Sequence, residues 1–504
     1  MILKLFYPEI FLSLAILIQL LLNARLINDL SYNFPLLNKE IFFQTFFILF
    51  CLLILLINLK IENSFSNFTF IIDESSRWIK IFFVFISLFV LIYITQAGIL
   101  QKLNFFEFYT LFLISILASL LLVNAYDLLT VYLLIEMQAL SFYILASFKR
   151  NSAFSSEAGL KYFIFGSLIS CFFLLGLSIL YGILGTLNLH HLSMLTVFVF
   201  PEYINAFYVF SIFLITITFL FKLGVVPFHF WVPDVYEGAP LSSTIIFSIL
   251  SKPILFSVFI KWILVLNNSF NYVENLLFFC GLSSVIIGTF LSLKQKRLKR
   301  LIIYSSIAQV GFLILSLAIN NFESLVYVYF FLFIYTITSI LIWGNIVYLS
   351  MFKYKINNFY SKSENYIFIS DLANYFKANS IWAFSFLLIF FSISGIPPLS
   401  GFLAKILILI ELIFNSYLMI SILLIGISSI SIFYYIRIIK IIFFEPILDK
   451  SIMVKNLQNV FYQKGLNSSC LIFVIFLFLL IFIFFCPNIL LLSCQYLVLN
   501  SFIF

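Results

Sequence analysis

INAFYVFSIFLITITFLFKLGVVP, residues 204–227, holds a single charged side chain, Lys222, and then meets Gly224 and Pro227. A helix needs about 20 apolar residues to cross the hydrocarbon core of a bilayer. This stretch is long enough to span. Proline removes a backbone hydrogen bond and its ring clashes with the preceding turn, so the helix must break at its end. Broken backbone at membrane depth survives only where protein or a water-filled cavity covers it. A spanning helix with a lysine at such a break therefore points to a functional interior.

The rest of the 504-residue chain has the same character: 64% apolar, 20% aromatic, 10% charged, with a mean hydropathy of +1.18. Soluble proteins are roughly 45–50% apolar and about 25% charged. Soluble enzymes, nucleic-acid binders, disordered chains and secreted disulfide scaffolds are excluded on that ground. Fourteen apolar runs can be read, at 8–28, 41–59, 78–97, 105–124, 127–148, 157–185, 204–226, 240–266, 271–293, 301–320, 322–351, 380–414, 416–445 and 467–493. The alternating segments of a membrane β-barrel are absent, so the expected fold is an all-α polytopic bundle.

The net charge of +8 sits almost wholly in the connections. Loops from odd to even runs, with adjoining helix ends, hold twenty Lys and Arg; loops from even to odd runs hold three, Lys60, Arg77 and Lys80. Basic loops stay on the cytoplasmic or matrix side. Both termini are then expected on the opposite side. The six cysteines are scattered, and neither a zinc nor an iron–sulfur site can be built from their spacing. No removable targeting peptide is evident in Lys4 and the apolar run after it. The abundance of Phe, 69 residues, against 16 Gly fits an AT-rich, organellar gene.

A second interruption, Gly395-Ile396-Pro397-Pro398-Leu399-Ser400-Gly401, lies five runs after the first and is followed by Lys405. Paired interruptions of this kind mark internal repeats of transporter type. An odd number of helices per copy makes the copies inverted. The expected organisation is an N-terminal three-helix segment (1–104), a first five-helix repeat (105–266), an inverted second repeat (267–445), and a C-terminal loop with helix 14 (446–504).

Charges inside the runs carry the chemistry, since each costs about 2.5–3.5 kcal/mol at a helix centre by insertion scales. Glu136 lies midway along the fifth run; Lys222, Lys252 and Lys405 lie in the seventh, eighth and twelfth. Thr244, Ser248 and Lys252 recur every four residues, as do Thr218 and Lys222, so hydroxyls share a helix face with each lysine. A lysine whose carboxylate partner approaches and withdraws takes up and releases a proton. His229, beside the first break, could relay protons or simply pack. Lys261, near a helix end, reads as a snorkelling residue. His190 and His191 lie on neighbouring faces, unsuited to one metal, and the basic run 294–300 reads as a topology signal.

FKLGVVPFHFWVPDVYEGAP (221–240), the Glu136 segment, SKPILF (251–256), KRLIIYSSIAQVGF (299–312) and SGIPPLSGFLAKILIL (394–409) together resemble the antiporter-like proton-pumping subunits of respiratory complex I. The resemblance implies that Glu136, Lys222, Lys252 and Lys405 match that family's proton-channel residues. It also implies a membrane-arm subunit without cofactors of its own, its flavin, iron–sulfur clusters and quinone being held by partner subunits. The implied neighbours are other membrane-arm subunits, antiporter-like ones included, and lipids. The implied location is the mitochondrial inner membrane, with the termini on the intermembrane-space side, and the alternative is a bacterial plasma membrane. Gln309 departs from the pattern, because members often carry a histidine there. Glutamine bonds hydrogen but does not titrate. The alternative is an autonomous cation/proton antiporter of related fold, which would favour carboxylates where this chain has lysines.

Overall fold

The computed structural model describes residues 6–29, 34–59, 64–66, 69–101, 106–149, 151–195, 201–266, 269–357, 368–373, 375–445 and 468–502. Of the basic residues counted above to read orientation, Lys60, Lys102, Arg150, Lys362, Lys450, Lys455 and Lys464 lie outside them, as do Lys4 and residues 446–467 of the C-terminal segment.

Helices dominate. They run α1 (Tyr7–Asp29), α2 (Phe34–Asn58), α3 (Glu74–Gln101), α4 (Phe106–Asn124), α5 (Leu128–Ala146), α6 (Ala153–Leu184), α7 (Leu189–Leu195), α8 (Glu202–Leu223), α9 (Trp231–Gly238), α10 (Leu241–Ile249) and α11 (Ser251–Val265). They continue as α12 (Phe270–Leu293), α13 (Leu298–Ile319), α14 (Phe322–Asn357), α15 (Tyr375–Ala378), α16 (Ser380–Ser394), α17 (Ser400–Phe414), α18 (Leu418–Phe444), α19 (Ser468–Phe485) and α20 (Pro487–Phe502). A small hairpin, β1 (Ser64–Ser66) with β2 (Phe70–Ile72), pairs antiparallel with Phe65 opposite Ile71.

Twelve spans among the described residues are long and apolar enough to cross a membrane, and they fall on twelve of the fourteen runs. The protein is a multi-pass membrane protein. The other two runs are interrupted. Run 380–414 is divided into α16 and α17, as its Pro-Pro pair dictates. Run 467–493, expected as one helix, is instead the pair α19 and α20, bent by 89° where Pro487 cannot continue the ladder. Run 240–266 is also divided, at Leu250, because Pro253 removes the N–H that would bond the Ile249 carbonyl.

The chain separates into two compact units, residues 1–224 with 228–276 and 495–504, and residues 225–227 with 277–494. In the first, α6 packs on α5 and α8, α4 on α1 and α5, and α10 and α11 form the most enclosed span, with 94% of its window buried. Phe247, Phe256, Phe259 and Trp262 fill that centre. In the second, α14 packs on α13, α17 and α19, and α16 on α18. Peripheral helices such as α6 turn Leu160, Phe163, Ile164 and Leu168 outward, as a lipid-facing surface requires.

Two charges sit otherwise than the sequence suggested. Lys80 is no loop charge. It is 3% exposed within α3 and bonded to Glu9 of α1, whose carboxylate supplies the counter-charge that makes burial tolerable. Lys261 does not snorkel; its ammonium donates to the Val123 carbonyl at 2.6 Å, in the last turn of α4. A cation is stabilised at a helix C-terminus.

Candidate functional site

Glu136 stands on α5 and Lys222 in the last turn of α8, and α6 packs against both helices. The lysine Nζ lies 3.4 Å from Glu136 Oε1, with side chains 11% and 21% exposed. A small pocket opens on the pair. Tyr132, Ser170 and Thr218 supply its polar rim, and Phe173 and Phe219 its wall. Tyr132 and Thr218 precede Glu136 and Lys222 by four residues, which puts each on its partner's face. The Thr218 hydroxyl donates to the Ile215 carbonyl at 2.6 Å and keeps its oxygen as an acceptor.

The break after Lys222 is closed locally. Gly224, at φ 74°, takes the left-handed conformation that ends a helix, and its N–H donates to the carbonyls of Leu220 and Phe221. The Trp231 indole donates to the Phe221 carbonyl at 3.1 Å. Backbone groups at the break are thus met by backbone and indole, and the Lys222 ammonium is directed to the carboxylate. His229 lies between Gly224 and Trp231, 5% exposed, its ring centroid 4.6 Å from that of Phe230. Lys252, 4% exposed, begins α11 in the same unit. The hydroxyls of Thr244 and Ser248 on α10 donate to Leu241 and Ile245 carbonyls at 2.8 and 3.2 Å.

The second unit solves its break differently. Gly395, at φ 85°, ends α16 and donates to Phe391 and Ser392; Ile396 N–H also reaches the Phe391 carbonyl. That leaves the last two carbonyls of α16. Lys405 Nζ takes both, donating to Ile393 O at 2.7 Å and Ser394 O at 2.9 Å. The ammonium also stands 5.5 Å from the Phe312 ring centroid, within cation–π range. Two small pockets flank it, and Gln309 of α13 lines both. Ser305, Ser431, Tyr434 and Tyr435 add polar atoms to one of them.

The structure therefore brings Glu136 and Lys222 together and sets Lys405 beside Gln309, with Lys252 in the first unit and Lys405 in the second. It also shows buried ionisable groups that the sequence reading either passed over, Glu9 and Glu411, or placed in a loop, Lys80. Glu9 and Lys80 pair within 8–28 and 78–97, and Glu411 of α17 is 5% exposed, its Oε1 accepting from Asn415 at 2.9 Å. All three lie inside apolar runs, which was the available signal. Among the described residues no three His, Cys, Asp or Glu converge as metal ligands, and the His190 and His191 rings stand nearly perpendicular.

The chain is similar to known proteins. NADH-ubiquinone oxidoreductase chain 2 of Marchantia polymorpha is 32% identical over 87% of this chain and 88% of its own. NADH-quinone oxidoreductase subunit N of Pelagibacter ubique is 32% identical over 93% and 95%. These agree with the resemblance read from the motifs, which is nearest the subunit-2 members. Among solved structures, a chain of respiratory complex I from Thermus thermophilus superposes with a TM-score of 0.74 at 23% identity, covering 97% of this chain and 99% of that one. A chain of the Mrp complex from a Dietzia species reaches 0.80 at 16% identity, covering 100% and 98%. Residues 125–433 match the family described as NADH:quinone oxidoreductase/Mrp antiporter, TM, and with them the chain belongs to that transmembrane family.

Proposed function

We propose that this chain is the antiporter-like membrane-arm subunit of an NADH:quinone oxidoreductase and moves protons through Glu136, Lys222, Lys252 and Lys405. The observation that carries it is the Lys222–Glu136 pair at 3.4 Å on a pocket at a broken helix. Approach of the carboxylate holds the proton on Lys222, and its withdrawal releases it. His229 is a candidate for passing it from the break. Lys252 receives the proton in the first repeat, 105–266, and Lys405 delivers it in the second, 267–445.

Driving force comes from elsewhere in the complex. Moving one charge against 100 mV costs about 2.3 kcal/mol. Flavin, iron–sulfur clusters and quinone belong to partner subunits, and other antiporter-like subunits and lipids adjoin this one. The mitochondrial inner membrane is the favoured location, supported by the composition and by the Marchantia relative. A free-standing cation/proton antiporter is the second reading, favoured by the fold likeness to the Mrp chain. The oxidoreductase reading has the closer sequence support, at 32% identity.

A tag on this chain, used to isolate it gently from native membranes, is expected to bring down flavin, iron–sulfur clusters and quinone-dependent NADH oxidation. Recovery of the chain in a complex that exchanges cations for protons without oxidising NADH would favour the antiporter. Orientation is tested separately. Single cysteines placed at 294–300 should react with an impermeant thiol reagent only from the matrix or cytoplasmic side; labelling from the opposite side overturns the proposed topology and its inverted repeats.

A further inference from the structure

Four charged side chains gather at the end of the first unit that carries Glu9: Glu9, Asp73, Lys80 and Lys261. The first three are 4%, 4% and 3% exposed. Lys80 bonds Glu9 Oε1, and Asn124 Nδ2 donates to the same oxygen at 3.4 Å. Lys261 holds the carbonyl of Val123, one residue before Asn124, and its charge acts on Asp73. Tyr126 follows on the α4–α5 connection, with its N–H on the Thr69 carbonyl beside β2 and its carbonyl taken by Leu189 of α7.

Hydrogen bonds within this cluster do not close. Glu9 Oε2, Asp73 Oδ1 and Asn124 Oδ1 are all buried without a hydrogen-bond partner among the described residues. Buried acceptors are ordinarily satisfied by protein or by water, and three beside two ammonium groups make a place for water or a transferable proton. Lys261 is also on α11, nine residues beyond Lys252, or about 14 Å along a helix. Buried hydroxyls mark the stretch between: Ser257 on α11, and Ser115 and Ser119 on α4, which packs against it.

We propose that Glu9, Asp73, Lys80 and Lys261 form a proton port in which Lys261 passes a proton to Asp73, and Asp73 passes it to water. This rests on the relay proposed above. The Lys261 ammonium loses H⁺ and becomes an amine, the Asp73 carboxylate gains H⁺ and becomes an acid, and water then takes that proton while Lys261 is reloaded from Lys252, which divides its protons between this port and the Lys405 route. No electron moves. The Glu9–Lys80 ion pair adjoins the port.

Burial pushes the Asp73 carboxyl up to about 6, and the Lys261 charge opposes the rise. Tyr126, pushed up to about 12 by burial and then by Asp73's charge, keeps its proton throughout. Lys261 from α11 is the charge that acts on Asp73, Glu74 and Arg77 follow it in the first turn of α3, and Lys80 of α3, paired with Glu9 of α1, acts in turn on Lys261. Arg77 is engaged by Glu74 at 3.3 Å and by the Leu59 carbonyl at 2.5 Å. Asp73 must be ionised to accept, so pumping is supported above its pKa and is lost as pH falls through it.

The test uses the intact complex in vesicles, with protons moved per NADH measured across pH for wild type, Asp73→Asn, Asp73→Glu and Glu136→Gln. Wild type should lose at least about threefold between about pH 7 and about pH 5. Asp73→Asn should pump at least about threefold less at about pH 7.5 with no acid limb, and Asp73→Glu should restore most of the loss. A normal ratio and a normal acid limb in assembled Asp73→Asn would overturn the port. If that variant does not assemble, a wild-type profile flat through pH 6 overturns it instead. Loss in Glu136→Gln with none in Asp73→Asn removes the port and leaves the relay standing; no loss in either removes both.

Discussion

Glu136→Gln should lower proton translocation at least about tenfold while the complex still assembles. Breaking a buried ion pair by removing one partner typically costs about 3–5 kcal/mol, because the remaining charge is left uncompensated. Here the two side chains retain 11% and 21% exposure, so water at the pocket offsets part of that cost. Even about 1.4 kcal/mol is tenfold in an equilibrium. Glutamine keeps the shape and an acceptor oxygen, so packing of α5 on α6 should survive. The check is NADH oxidation recorded alongside a pH-sensitive dye in vesicles. If coupling is tight, oxidation falls with pumping; if loose, pumping alone falls.

Lys405 offers the second large effect, and a way to separate architecture from chemistry. Its ammonium satisfies the carbonyls of Ile393 and Ser394, the open end of α16. Lys405→Met leaves both without that donor, at about 1–3 kcal/mol for each buried group, so the break is weakened and assembly should drop. Lys405→Arg keeps a cation and several N–H donors, but a guanidinium does not give up its proton in proteins. The arginine variant should therefore assemble and fail to pump, with at least about a tenfold loss. Blue-native gels give assembly, and the dye assay gives pumping. Normal pumping by Lys405→Arg would reduce the lysine to a helix cap.

Much of this was legible in the sequence, for reasons that particular residues make plain. Pro227 and Pro397-Pro398 announce the breaks because no ladder passes a proline, and apolar length announces the spans. Glu136 and Lys222 could be singled out by their cost in lipid, although 86 positions separate them; nothing in linear order says that they meet. That depends on α6 packing against both α5 and α8. Lys405 was visible as a charge and not as a cap, because its acceptors are carbonyls, which every residue has. Lys80 was misread as a loop charge and Lys261 as a snorkelling one, since hydropathy reports how long an apolar run is and not which buried partner, Glu9 or the Val123 carbonyl, awaits a cation. The division at Leu250 and the bend at Cys486 follow from Pro253 and Pro487, yet neither shortened the apolar run enough to be noticed.

The central claim is that Glu136, Lys222 and Lys405 move protons and do not merely fasten helices. Its most direct test is the number of protons translocated per NADH by the assembled complex in vesicles, compared for wild type, Glu136→Gln, Lys222→Ala and Lys405→Ala. The account predicts a marked fall in that ratio, or joint loss of oxidation and pumping, for each variant that assembles. Normal assembly with an unchanged ratio in all three would contradict it and leave these side chains as packing contacts.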